Sequence, residues 1–396
     1  MTILGIDMGW SKSVSCLIDG ASNQRRYETI GTNRASFETL ITRLHPDRVV
    51  IEAGPMAGWV HDLCRRLKQE LLVLNTNDEA WQWSKVKRKS DRSDALKIAR
   101  MAMLDGISRA VHVPEHAVRQ WRQLIAYRTK LVNQTVAIRN RLRSVLLQED
   151  RRLPGGKKAW TGLEFEELKA LGKPLEECSM EELWRGELDI ELRHLEQIQA
   201  HVAAVEKRLD AIGSASPRVK RLKQLPGVGN RCAEALVAMI DEPARFGRAR
   251  EVGAYLGLTP RKFQSGSMDR DGHISRCGNA LMRKLLVQSA WTGKRSCEAL
   301  ELIYQKVKRQ SPKRKKQAIV AAARHLGIWA WAMDRDQVDF TPPAASKALA
   351  ELRAKQARQM AEGRSSRKMK RRRGAWAAEQ EREAERNETA EMATTV

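Results

Sequence analysis

Four acidic residues stand where an acid is either costly or regularly spaced. Asp7 lies inside the apolar run Ile3-Leu-Gly-Ile-Asp7-Met-Gly9, and Glu52 closes the run Arg48-Val-Val-Ile-Glu52. Asp91 and Asp94 occur three apart in Lys89-Ser-Asp91-Arg-Ser-Asp94-Ala. A carboxylate left unpaired in an apolar strand is destabilising by roughly several kcal/mol. Asp7 therefore needs a cation: a divalent metal, which takes carboxylate oxygens, or a buried Arg or Lys. The spacing of Asp91 and Asp94 puts both on one helix face. Four carboxylates at one point repel unless cations sit among them. Two divalent ions about 3.5–4 Å apart are the usual clamp for in-line displacement at a phosphodiester. Each acid also has an ordinary reading. Glu52 can cap the turn after it, Asp91 can be a solvated helix cap, and Asp94 can pair with Arg92 or Lys97. The order of the surrounding elements favours a common site.

That order is three strands, helix, strand, helix, strand, helix. Residues 3–9 and 13–19 are short apolar runs bounded by Gly and Ser, which predict buried strands joined by a tight turn at Gly9. Residues 24–30 make a third strand. Phe37, Leu40, Ile41 and Leu44 carry helical spacing. Strands at 48–52 and 71–74 flank a helix over 59–68, and 78–104 reads as largely helical, interrupted by the basic run from Lys85 to Lys89. A hairpin-first sheet sets the Asp7 strand beside the Glu52 strand, and a late helix across it can carry Asp91 and Asp94 to the same end.

Charge narrows the partner. The 396 residues hold 72 Lys+Arg against 48 Asp+Glu, a net charge of +24. This excess points to a polyanion, and nucleic acid is favoured over membrane because the sequence has neither a long apolar span nor a signal peptide. The cysteines Cys16, Cys64, Cys178, Cys232, Cys277 and Cys297 are scattered with no CxxC pair, so neither a zinc site nor a disulfide framework is indicated, and a reducing cytoplasm fits.

Residues 1–112 thus resemble an RNase H/RuvC-like α/β nuclease domain with a D-E-D-D set. Gly5-Ile-Asp7, Val50-Ile-Glu52-Ala and, most specifically, Lys89-Ser-Asp91-Arg-Ser-Asp94-Ala are similar to the DEDD transposases of the insertion-sequence one-ten family, the bridge recombinases. The resemblance covers about residues 1–330. It implies that Asp7, Glu52, Asp91 and Asp94 hold Mg²⁺ or Mn²⁺. A second resemblance falls on Gln264-Ser265-Gly266-Ser267, which is similar to the serine element of the family's C-terminal transposase domain. It implies that Ser265 is a nucleophile, with Ser267 and Ser275 as fallback candidates. From the residues alone, a serine in a Gly-flanked loop is more often a turn residue, and no His–Asp partner is apparent. The family further implies a covalent phosphoserine intermediate, exchange of strands between donor and target double-stranded DNA, a structured guide RNA, and a homo-oligomer, dimer or tetramer, whose two domains meet from different protomers. Its setting is the bacterial cytoplasm, at the nucleoid. Two other readings stay open: a metal-only junction resolvase and a non-catalytic nucleic-acid-binding protein.

Residues 113–215 read as a helical, coiled-coil-like linker. Apolar positions from Trp121 to Leu146 and from Leu188 to Leu209 repeat at helical spacing, with a looser stretch over 152–185. They suggest an antiparallel hairpin, a dimer coiled coil, or a linker packed on its own domain. The Arg128, Arg139, Arg141 and Arg143 face either meets nucleic acid or is solvated. Residues 216–335 form a mainly helical domain opened by Leu225-Pro-Gly227-Val-Gly229, which resembles a helix-hairpin-helix turn. Its glycines would let backbone N–H groups approach phosphate, or simply make a tight turn. Residues 336–396 read as a basic, partly disordered tail. Arg364 to Arg373 holds seven basic residues in ten.

Overall fold

The computed structural model describes residues 1–75, 90–103, 110–156, 158–266, 268–275, 277–309 and 311–341. The basic run at 85–89, Ser267 and most of the tail lie outside the described residues.

The chain divides into two compact units. The first comprises Met1–Ala211 with Val237–Asp241; the second comprises Ile212–Leu236 and the described residues from Glu242 onward. The first opens with the antiparallel strands β1 (Thr2–Met8), β2 (Lys12–Asp19) and β3 (Arg25–Gly31). There follow α1 (Arg34–Leu44), β4 (Arg48–Glu52), α2 (Ala57–Arg66), β5 (Leu71–Leu74) and α3 (Asp91–Met101). The sheet order is β3-β2-β1-β4-β5, with β4 and β5 parallel to β1. This is the sequence expected from the apolar runs.

Strand alternation sorts the sheet into two faces. Leu4, Ile6, Val49, Ile51 and Val73 pack with Phe37, Leu40 and Ile41 of α1 and Val60 and Leu63 of α2. Ile3, Val50, Ile18 and Leu74 pack with Ile98, Ala99 and Met101 of α3. The central strands are thus covered on both sides, which is why they read as continuous apolar runs.

The remainder of the first unit is built on α4 (His116–Gln148) and α6 (Leu183–Ala215). Leu131, Ile138, Leu142 and Leu146 of α4 interlock with Leu188, Leu192, Leu195 and Ile198 of α6. Arg128 pairs with Glu206 at 2.5 Å, and Arg141 pairs with Glu191. Ascending positions on one helix meet descending positions on the other, so the two run antiparallel within one chain. The loose stretch between them folds as a cap: Trp160 and, from α5 (Leu163–Leu171), Leu168 join the same core. The Arg139 and Arg143 guanidinium groups lie 5.2 and 4.9 Å from the Trp160 ring centroid. The arginine face is therefore committed within the chain, to carboxylates and to an indole, rather than offered as a free cationic stripe.

The second unit contains α7 (Pro217–Leu222), α8 (Asn230–Ile240, shared with the first unit), α9 (Ala249–Tyr255), β6 (Pro260–Ser265), β7 (Met268–Ile274), α10 (Ala280–Gly293), α11 (Glu298–Lys308) and α12 (Lys315–Asp336). The last helix is its axis, with Ala318, Ile319, Ala322, Ala323, Leu326 and Ala330 buried. Arg218 of α7 clasps the fully buried Asp334 of α12, with Nε–Oδ1 at 2.9 Å and Nη2–Oδ2 at 2.6 Å.

Gly227 has φ of +76° and is pressed on α10: a Cβ there would lie 2.2 Å from the Ser289 carbonyl oxygen. Helix packing accounts for this glycine, where the sequence left phosphate approach open. The polar stretch after Pro260, expected to be loop, is instead a two-stranded hairpin. It has no buried face on β6, so it carries no hydrophobic alternation to reveal it.

Candidate active site

β1 and β4 pair in parallel with Ile3 opposite Arg48 and Ile6 opposite Ile51. Asp7 and Glu52 are the next residue on each strand, so they arrive at the same level on adjacent strands. Alternation fixes their face. Ile3 and Val50 pack under α3. Asp7 follows Ile3 by four and Glu52 follows Val50 by two, so both carboxylates leave the sheet on the α3 side. Each is partly buried.

Gly5 sets the height of α3 above that face. A Cβ on Gly5 would sit 2.6 Å from the Ala95 carbonyl oxygen and 2.6 Å from the Ala99 nitrogen. Only the missing side chain lets the helix backbone rest directly on β1. The helix direction follows from its packing. Its end, at Ile98 and Met101, lies against Ile3. Its beginning, at Ala95, packs on Val14, the cross-strand partner of Asp7. The first turn of α3 therefore lies toward the Asp7 end of β1. That turn carries Asp91 and Asp94, the first exposed and the second half-buried.

Ser90 caps α3, its side chain accepting from the Ser93 N–H, while Ser93 Oγ accepts from the Ser90 N–H at 3.2 Å. The reciprocal pair stops the first turn fraying. The two aspartates also complement the positive end of the helix dipole. Arg92 lies over the Tyr27 ring at 5.8 Å, tying the same turn to β3.

Asp7 and Glu52 thus lie side by side at the carboxyl ends of two parallel strands, and the amino end of α3, which carries Asp91 and Asp94, lies toward the Asp7 end of β1. Among the described residues, no three of these four have oxygens all within 4.8 Å of one another. As a donor set they are all carboxylate and supply no thiolate or imidazole. That chemistry suits hard divalent cations such as Mg²⁺ or Mn²⁺ over zinc or copper.

One neighbour went unnoticed in the sequence. Trp10, in the β1–β2 turn three residues beyond Asp7, is 96% exposed. A Cβ at Gly9 would meet the Lys12 carbonyl oxygen at 2.4 Å, so that turn requires glycine. Its sequence signal was a tryptophan in a tight polar turn with no apolar partner nearby. An open indole face is a stacking surface for a nucleobase.

Ser265 belongs to the second unit. It ends β6 and pairs with Met268 across a turn whose Gly266 has φ of +54°. It is exposed, and a Cβ at Gly266 would meet nothing within 4 Å. Ser275 follows β7, its backbone N–H donating to the Thr259 carbonyl at 2.9 Å. Ser267 is outside the described residues. Asn279 caps α10, its side-chain oxygen accepting from the Leu281 N–H at 2.8 Å.

Two protein-family models fall on successive parts of this chain. The DEDD transposase model of IS110 type matches residues 4–149, and the model for transposases of the IS116/IS110/IS902 family matches residues 219–305. The chain belongs to the IS110 transposase family. The transposase is 29% identical over 321 residues to the protein y4rJ of Sinorhizobium fredii, assigned by name as a transposase; the match covers 73% of this chain and 77% of that one. It is 26% identical to the transposase for insertion sequence element IS1111A of Coxiella burnetii, across 73% of this chain and 76% of its relative. Among solved structures, a fowlpox virus resolvase with Holliday junction DNA matches at 17% identity and a TM-score of 0.16, covering 26% of this chain and 74% of the other. A superposition that loose carries no argument. The transposase is a DNA-recombining enzyme, and its DEDD domain implies a divalent metal. No described helix is long and apolar enough to cross a membrane.

Proposed function

We propose that this transposase cuts and exchanges strands of donor and target double-stranded DNA with two chemical tools: a divalent-metal site held by Asp7, Glu52, Asp91 and Asp94, and the hydroxyl of Ser265. The supporting observation is that Asp7 and Glu52 leave the sheet side by side on the face that α3 covers, and that the first turn of α3 carries Asp91 and Asp94. Bound Mg²⁺ or Mn²⁺ would stabilise negative charge developing on the phosphate oxygens. The four carboxylates hold and space the ions, and the capped first turn of α3 keeps two of them in register.

Ser265 is the nucleophile in this reading. Its oxygen bonds to phosphorus as a bridging DNA oxygen departs, giving a phosphoserine ester. A hydroxyl from a second strand then displaces the serine, so the number of phosphodiester bonds is conserved. Exposure at a hairpin tip, beside a glycine without side-chain bulk, suits approach to a DNA backbone. A structured guide RNA choosing donor and target, a dimer or tetramer as the working form, and action at the bacterial nucleoid complete the proposal. The net charge of +24 suits either nucleic acid.

The test is trapping on a suicide DNA substrate in Mg²⁺. A covalent adduct mapped by mass spectrometry to Ser265 supports the reading. An adduct on Ser267 or Ser275 relocates the nucleophile. Cleavage with no adduct at all favours a metal-only resolvase with water as nucleophile.

A further inference from the structure

The β6–β7 hairpin is a ribbon with two unlike faces. Directly paired residues of an antiparallel ladder share a face, and from a bulge after Pro260 to the tip the pairs are Lys262 with Asp271, Phe263 with Arg270, Gln264 with Asp269, and Ser265 with Met268. One face therefore collects Phe263, Ser265, Met268 and Arg270, together with Arg261 two residues before Phe263. The other carries Lys262, Gln264 and Asp269, where Lys262 neutralises Asp269 at 3.2 Å.

The first face is cationic, aromatic and uncovered. Arg270 lies over the Phe263 ring at 5.6 Å. Gly272 leaves room for that ring, since a Cβ there would come within 2.7 Å of its Cε2. An open cavity of about 500 Å³ is lined by Arg261, Phe263, Arg270, Gly272, His273 and Gln317, with no carboxylate among them. Among the described residues neither guanidinium makes an ion pair. Phe263 is 46% and Met268 54% exposed, and every residue of β6 is exposed. A two-stranded ribbon without a covering layer is marginally stable in water. This one holds its apolar groups out beside two arginines, an arrangement that suits a polyanion with sugar and base surface to cover.

We propose that this face of the ribbon is a DNA-backbone clamp. Arg261 and Arg270 take phosphates of a duplex, and Phe263 packs on the sugar–base edge between them. A B-DNA major groove is wide enough to admit a two-stranded ribbon. The clamp deepens the proposed function, and it rests on the Ser265 reading only for where along the DNA it falls. If Ser265 attacks, its own ribbon face positions the strand it cuts. If it does not, the clamp remains a binding surface.

The experiment measures binding of a labelled duplex to the full chain by fluorescence anisotropy across a salt series. The double variant Arg261→Ala/Arg270→Ala is expected to lower the slope of log K against log salt by about 1.8, since each B-DNA phosphate neutralised contributes roughly 0.9. Lys262→Ala on the opposite face should leave the slope unchanged, and Arg261→Lys/Arg270→Lys should restore most of it. Circular dichroism melting confirms that each variant is folded. An unchanged slope in the double alanine variant overturns the clamp. So does an equal loss in Lys262→Ala, or a loss seen with an RNA hairpin but not with duplex DNA. Ser265→Ala, run alongside, should bind with the wild-type slope. Failure of the serine reading therefore shows in adduct trapping, and failure of the clamp shows in the salt slope.

Discussion

A carboxylate at the end of a buried strand needs a cation or hydrogen-bond donors to offset its charge. Asp7 extends the apolar face of β1 toward the first turn of α3, where two more acids stand. Asp7→Asn keeps the shape and removes the charge. Strand cleavage in Mg²⁺ should fall by on the order of 10³-fold, the scale seen when a preorganised catalytic group is removed. The melting temperature in EDTA should not drop, because one carboxylate fewer relieves repulsion. Wild-type cleavage by Asp7→Asn would remove the acids from the mechanism. Ser265→Ala makes the complementary statement. It should abolish cleavage and the covalent adduct while duplex affinity stays within about twofold, since only an exposed hydroxyl is removed; surface substitutions of this kind usually fall within about 0.5 kcal/mol.

Elements decide whether these residues meet. α3 is held on β1 by the absence of a side chain at Gly5, with Ala95 and Ala99 as its small counterparts. Gly5→Ala would drive a methyl into helix backbone. The expected destabilisation is about 1–3 kcal/mol, as for other overpacked sites. Because α3 carries Asp91 and Asp94, cleavage should fall too, although no acid has changed. Urea denaturation and cleavage rates on the same preparation check both halves. The capping segment between α4 and α6 has a pH signature. Hydrogen bonds from Lys173 and from the Ser179 backbone, together with Arg185, pull the Glu182 carboxyl down to about 2 from its ordinary 4.5. The folded state prefers the ionised form. Its contribution to stability is therefore complete above about pH 4.5 and is lost as pH falls toward 2. Glu182→Gln should remove that part of the acid sensitivity from a melting-temperature profile and leave the neutral-to-alkaline limb parallel to wild type.

At the scale of the whole molecule, charge and copy number matter most. Deleting residues 342–396 removes the run from Arg364 to Arg373, with seven basic residues in ten. Non-specific duplex binding should weaken and its salt slope should flatten, by about 0.9 for each phosphate no longer neutralised. Site choice should persist, because binding to phosphates carries no direct sequence information. An unchanged slope would make the tail a bystander. Mixing Asp7→Asn protein with Ser265→Ala protein tests whether acids and serine act across copies: recovered cleavage in the mixture, absent from either alone, requires that they do.

The strands and helices around the four acids were legible because the sheet is covered on both faces, so burial wrote itself into the sequence as apolar runs and helical spacing. The shared helix face of Asp91 and Asp94 was legible too, through their spacing of three, whereas the start of α3 at Ser90 was not. Other features were not. The sequence left the arginines of α4 open between nucleic acid and solvent, because it shows charge but not the Glu206, Glu191 and Trp160 that occupy them. Gly227 left phosphate approach and a tight turn both open, because a glycine does not state which neighbour needs the space. The β6–β7 ribbon left no trace, since exposed strands have no apolar period. By itself the sequence determined the sheet, its helices and the chemical type of the acids, all consequences of local spacing and burial. Only the tertiary structure decided that Asp7 and Glu52 share a level and a face, that the first turn of α3 lies toward the Asp7 end of β1, and that Ser265 shares an open ribbon face with Arg270. Those depend on strand register and long-range packing, which no local pattern encodes.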